Sequence, residues 1–511
     1  MKKIFALLLL FNSPQVFSQD WPVKKMVTAK KQSSVQFTAL PVFSFVANKP
    51  LANRGIYQEL KLDASFLNRV MEERPAALQL SIPLGNGSSV NCELVQFSLG
   101  NVKFTENNSS VIENIKIPVT YRGIIAGVAD KNSVMLTVNE DYLSLVAAMN
   151  DKSIQVTQAD EKDKSLYRLY NSETVQFPSV SLDCGTISNF VSKTATGIDL
   201  TGVQVNPLGV QDKCVNVFVD CFDSVYLWQK SNTQQTTNYV YELFNIVAGG
   251  YLAEQINIQI TTINIWTTPD PFTGNTREAR VRKMADYYKD NFWGNICVGL
   301  DFTPSRYGGV ANAIGKVKAV SANTCPAYSA TESACCYNDL ADLAIAKNFP
   351  VGPNTNNSQI YLVMHEIGHK LGSRHTKWCG WKLTSNPDTF GAIDSCGVPE
   401  EGPCAPGQPP INGGTIMSYC FQGTSFINYS NGFGPLPGNA IRNFVDQSPC
   451  ILTCVECFGV RNNSNKHVYA FQNAGEALKK ESGTGENNSN GPTKNGSAAG
   501  KLIINTQKLK Q

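Results

Sequence analysis

The sequence predicts an α/β (α+β) domain over residues 206–457, preceded by a β-rich domain over residues 19–205 and followed by a disordered tail over residues 458–511. Three observations support this division. Only two of the fifteen cysteines, Cys92 and Cys184, lie before residue 200, and thirteen lie between Cys214 and Cys457. Alternating apolar residues dominate the first region, whereas strand and helix periods follow one another from Cys214. Past Cys457 the composition collapses into Asn, Gly, Ser and Lys, which bury too little apolar surface to offset chain entropy.

Residues 1–18 read as a signal peptide. Lys2 and Lys3 precede the run "IFALLLLF", and Val16 and Ser18 supply small residues before a cut near Gln19. The other reading, a membrane anchor, needs about 20 apolar residues to span a bilayer, and this run is much shorter. No later stretch reaches that length. Export to an oxidising compartment, with cysteines that pair and persist, is the expectation. Thirteen is odd, so pairing within the second region leaves one thiol over, or a bridge joins the two regions.

In the first region "LQLSIPL" alternates Leu78, Leu80, Ile82 and Leu84 with other residues. Asn86-Gly87 then offers a hairpin turn before "VNCELVQF". "NSVMLTV" and "SIQVTQA" continue the style. Such a region by itself fits an adhesion module, a carbohydrate-binding sandwich or a propeptide.

From Cys214, "CVNVFVD" reads as a buried strand, and residues 233–255 carry a helical period through Tyr239, Leu243, Ile246 and Leu252. "INIQITTINIW" alternates as a strand, so strand, helix and strand fall within about fifty residues. A helix over 277–291, the strand "ICVGL" and a glycine-rich edge strand "GGVANAIGKV" follow. After residue 345 regular periodicity is expected only around the histidines.

The charge balance, 44 Lys+Arg against 41 Asp+Glu with no basic run, predicts neither a nucleic-acid partner nor a membrane surface. Oligomeric state and calcium sites leave no readable signature.

Three of the four histidines fall in "HEIGHKLGSRH", residues 365–375. Asn357 or Ser358 can cap a helix whose apolar residues Ile360, Val363, Met364, Ile367 and Leu371 recur at helical spacing. His365 and His369, four residues apart, stack on one face about 6 Å along the axis. Glu366 lies about a hundred degrees around, so it flanks an ion without binding it. Gly372 can turn the chain through a left-handed conformation, and His375 then approaches the same point. Three neutral imidazoles leave Zn²⁺ its full charge and one open position for water, whose pKa falls toward about 7. Glu366 is the candidate general base.

The pattern H-E-x-x-H-x-x-G-x-x-H is met at every specified position, and "GGTIMSYC" supplies a methionine, Met417, downstream of His375. On these residues the chain resembles the metzincin clan of zinc peptidases. With "AIDSCG" and "INYSNGFGP" it is similar to secreted bacterial members of the reprolysin (adamalysin-like) family. Thr376 stands where animal reprolysins usually carry Asp, and Tyr419 where they usually carry Pro. The resemblance implies a twisted mixed sheet with an active-site helix and Met417 as a hydrophobic floor under the imidazoles. It also implies that Tyr419 either packs beside Met417 or serves as zinc ligand or oxyanion donor. The strand Gly308 to Val317 sits where the clan has its cleft edge, and is either able to hold an extended peptide or an ordinary surface edge strand. Residues 19–205 become a propeptide, and Cys184 in "SLDCGT" either blocks the zinc as a latency switch or joins a disulfide.

The expected function is a secreted zinc endopeptidase made as a latent proenzyme and acting on protein or peptide substrates. The alternative is a secreted adhesion or binding protein with a structural or non-catalytic zinc site.

Overall fold

The structure is a computed structural model that describes residues 21–51, 55–129, 131–149, 152–160, 162–171, 185–186, 213–288, 292–302, 308–318, 335–339, 357–385, 388–411, 413–420, 427–428 and 431–454. The chain divides into two units, Met1–Tyr469 and Ala470–Gln511, and every described residue belongs to the first. The expected signal peptide, Cys184 and the tail lie outside the described residues.

The N-terminal part carries helices α1 (Pro22–Gln32) and α2 (Phe66–Glu73). Its strands are β1 (Thr38–Ala39), β2 (Phe43–Pro50), β3 (Ile56–Leu62), β4 (Ala77–Pro83), β5 (Ser89–Phe97), β6 (Lys103–Glu106), β7 (Ser110–Val111), β8 (Val119–Ile125), β9 (Asn132–Val138), β10 (Leu143–Met149), β11 (Lys152–Gln158) and β12 (Leu166–Asn171). Ten of them form one sheet in the order β1-β4-β5-β8-β9-β10-β11-β12-β3-β2. It is antiparallel apart from the β1/β4 pair. Leu78, Leu80 and Ile82 alternate into its core beside Cys92 and Leu94 of β5, each leucine or isoleucine contributing about 1.5–3 kcal/mol of burial. The expected turn is present: Gly87 takes φ +83°, and the Ser88 amide donates to Asn86 Oδ1 at 3.0 Å.

The second sheet uses β13 (Gly185–Thr186), β14 (Cys214–Cys221), β15 (Asn257–Ile265), β16 (Ile296–Asp301), β17 (Gly308–Ala311) and β18 (Cys335–Asp339), in the order β13-β17-β18-β16-β14-β15-β6-β7. It is mixed, as expected. β14, β15, β16 and β18 run parallel, while β17 is antiparallel to β18. All eight residues of β14 are buried, because helices cover both faces. Val215, Val217 and Val219 pack with α4 (Thr233–Ala253), whereas Phe218 packs with Val281, Met284 and Tyr288 of α5 (Arg277–Tyr288). The helix α3 (Asp223–Trp228) follows β14.

Three findings differ from the sequence reading. First, β6 and β7 of the N-terminal part join the second sheet, β6 pairing in parallel with β15. Strand partners about 160 residues apart leave no local signal. Second, order after residue 345 extends beyond the histidine helix α6 (Asn357–Lys370) to the hairpin β19 (Trp381–Ser385) and β20 (Asp388–Gly391) and to α7 (Pro435–Gln447). The start "PLPG" of α7 reads as a breaker in sequence, yet proline at N1 has a missing N–H that no helix bond needs. Third, Cys92, Cys221, Cys297 and Cys336 are buried thiols without disulfides. They fill strand interiors as small apolar side chains, so strict pairing arithmetic does not apply. The bridges among described residues are Cys214–Cys454, Cys379–Cys404 and Cys396–Cys420. No helix among the described residues is long and apolar enough to cross a membrane.

Asp220 of β14 is fully buried, and its Oδ1 accepts from Asn264 Nδ2 at 2.7 Å and Trp266 Nε1 at 2.9 Å. Burial nevertheless pushes its carboxyl up to about 7. Between pH 4 and 7 the folded chain therefore holds a proton that the unfolded chain releases, and stability falls as pH rises through that window, by about 4 kcal/mol. Asp220→Asn should match the wild type near pH 4 and exceed it near pH 8, read from urea unfolding midpoints. Equal pH slopes would refute this.

Candidate metal centre

α6 carries His365 and His369 on its buried face, and the chain leaves it through Gly372 at φ +93°. The Gly372 amide donates to His369 O at 3.0 Å and the Ser373 amide to Gly368 O at 3.0 Å, closing the helix end. His375 then returns to the other two. The Nε2 atoms of His365, His369 and His375 form a triangle with edges of 3.1, 3.0 and 3.1 Å.

The opposite ring atoms explain the tautomers. His365 Nδ1 donates to Ile416 O at 2.7 Å, His369 Nδ1 to Ser373 O at 2.8 Å and His375 Nδ1 to Glu400 Oε2 at 2.8 Å. With Nδ1 protonated in each ring, three bare Nε2 lone pairs converge. Burial holds His365 and His369 well below the usual imidazole range and lowers His375 despite Glu400. Three neutral imidazoles so placed repel unless a cation lies between them. Their spacing approaches the roughly 3.3 Å expected between nitrogens bound tetrahedrally at about 2.0–2.1 Å from Zn²⁺. The donor set fits zinc, and the three histidines could hold a metal ion.

Glu366 lies beside this triangle. It is fully buried, no side chain among the described residues hydrogen-bonds its carboxyl, and burial pushes its pKa well up against the pull of Arg277, Lys370 and the Ala311 main chain. Room for it comes from β17: a Cβ on Gly309 would approach Glu366 Oε1 to 2.4 Å.

Met417 is fully buried beneath α6, where a Cβ on Gly368 would meet its Sδ at 2.7 Å. Its carbonyl accepts from the Thr376 amide at 3.0 Å, tying this loop to the third histidine. Tyr419 reaches the site as well, its ring edge-on to His375 at 4.7 Å and beneath Lys377 Nζ at 3.5 Å. Cys184 is outside the described residues, but the next two, Gly185 and Thr186, pair in parallel with Val310 and Ala311 of β17.

Two supporting side chains escaped the sequence reading. The Tyr361 hydroxyl donates to Ser418 O at 2.7 Å and lies 3.0 Å from His365 Nδ1. Its place four residues before His365, on the same helix face, was a usable signal. Glu400, 25 residues past His375, had none. Lys377 Nζ is 2.9 Å from Glu400 Oε1, and these partners hold the Glu400 carboxyl down to about 2 against its burial. Backbone bonds from the Cys379 amide to Glu400 O and from the Glu400 amide to Lys377 O fix the residue within the loop closed by Cys379–Cys404.

Residues 211–431 match the model of a family described as metallo-peptidase family M12, under the name Reprolysin_5. No curated protein matches the chain. Among solved structures, metalloproteinase-II from Bacteroides fragilis is 9% identical with a TM-score of 0.33, covering 58% of this chain and 81% of its own. A chaperone–substrate complex is 13% identical with a TM-score of 0.23, covering 32% of this chain and 25% of its own.

Proposed function

We propose, from the match of residues 211–431 to the model of metallo-peptidase family M12, that the chain is a secreted zinc endopeptidase, made latent, with Glu366 as its general base. The observation that carries this reading is the convergence of three bare Nε2 lone pairs beside a buried carboxyl that no described side chain hydrogen-bonds. A structural metal site needs the histidines and has no use for the acid.

Zinc, when bound, supplies a Lewis acid and an activated water. The protein supplies the rest. Main-chain groups of β17 pair with an extended peptide and hold its scissile carbonyl over the histidines. Glu366 takes one proton as water oxygen bonds to the carbonyl carbon, and gives it to the amide nitrogen as the C–N bond breaks. Tyr419, beside His375, is the candidate oxyanion donor.

Latency finds support in the pairing of Gly185 and Thr186 with β17, since a strand already on that edge excludes a substrate strand. Cys184 directly precedes this pair, and its thiolate is the candidate ligand that would displace water. Export is supported by three disulfides among the described residues.

Purified, processed protein is expected to contain one zinc per chain by elemental analysis and to cleave casein. Chelation should remove both, and added Zn²⁺ should restore both. Stoichiometric zinc without proteolysis would favour the secreted binding protein.

A further inference from the structure

Segments that precede β14 in the chain lie on the second sheet at both of its edges. Gly185 and Thr186 lie on β17 at one edge, and β6 with β7 extends the other edge beyond β15. The two attachments differ greatly in substance. The first is two residues long, next to the metal centre. The second is wide and embedded in the core.

At the far edge, Lys103–Glu106 pair with Thr262–Ile265. Thr105 Oγ1 donates to Asn264 Oδ1 at 2.9 Å and the Asn108 amide to the same oxygen at 2.8 Å, while Asn264 Nδ2 reaches Asp220. Thus the β6–β7 turn completes the polar shell of a side chain inside the peptidase sheet. A second contact lies on α4. Asn245 Nδ2 donates to Leu136 O at 3.0 Å and Thr137 Oγ1 at 3.1 Å, and Arg122, 1% exposed, stacks on Phe97 with its guanidinium carbon 3.5 Å from the ring centroid. Phe97, Leu99, Phe104 and Met135 share one core with α4, β14 and β15. Departure of this part would bare the edge of β15 over Thr262–Ile265, take both donors from Asn264 Oδ1 and remove the acceptors of Asn245 Nδ2.

We propose that the N-terminal part, residues 21–171, is a permanent non-covalent subunit of the active enzyme. Cleavage between residues 187 and 212 frees the strand at β17 and leaves β6, β7 and the α4 contact in place. The proposal rests on the reading of the chain as a processed peptidase. Among the described residues of this part no disulfide tether is involved, because Cys92 is a buried thiol of the N-terminal core.

The test uses the full chain with a recognition sequence for a specific protease inserted between residues 200 and 201. After cutting, both fragments should co-elute in native size exclusion at the mass of the intact chain and separate only in denaturant. Asn245→Ala should weaken the cut complex about tenfold on dilution. A folded C-terminal fragment eluting alone would overturn the proposal, whether or not the variant folds. Casein cleavage by the same fractions is read separately: co-elution without it supports the subunit and counts against the peptidase.

Discussion

Glu366→Gln should lower kcat for casein or a peptide substrate by about 10² to 10⁴-fold while zinc content stays at one per chain. The side chains have the same shape, so the amide fits the space left by Gly309, and the three histidines keep their partners. What the amide lacks is an oxygen able to take the water proton and release it to nitrogen. KM should change little, since the β17 main chain rather than Glu366 holds the peptide. A variant with wild-type kcat would remove Glu366 from the chemistry, and one that loses zinc would make it a structural neighbour of the ligands.

Glu400→Ala should weaken zinc binding or lower kcat by about 10 to 100-fold. His375, unlike His365 and His369, has its Nδ1 held by a side-chain carboxylate rather than a main-chain carbonyl. Removing that acceptor frees the ring to rotate and to carry its proton on Nε2, where no lone pair then faces the metal. Glu400→Gln keeps an acceptor oxygen and should recover most of the zinc affinity, separating the hydrogen bond from the charge. Equal zinc dissociation constants for the alanine variant and wild type would exclude a positioning role. Lys377 loses its partner in the alanine variant, so Lys377→Ala is the control for that loss.

The histidine segment was legible because its geometry is local. His365 and His369 share a helix face by the period of the helix, and Gly372 lies at its end with the left-handed backbone expected of it. Strands such as Asn132–Val138 and Cys214–Cys221 were equally plain, since alternation or a continuous apolar run reports burial residue by residue. The helix Pro435–Gln447 was hidden because its opening prolines and glycine are tolerated only where helix N–H groups need no partner.

By itself the sequence pointed to three histidines that could hold a metal ion, the acid next to the first of them, the methionine loop and the strands and helices from Cys214 to β17, all of which follow from spacing along the chain. The tertiary structure alone decided that Glu400 serves His375, that Gly309 makes room for Glu366, and that β6 and β7 complete a sheet more than a hundred residues away. Those pairings depend on how loops close and sheets add edges. Many partners of similar chemistry compete for each such contact, and only the packed fold selects one.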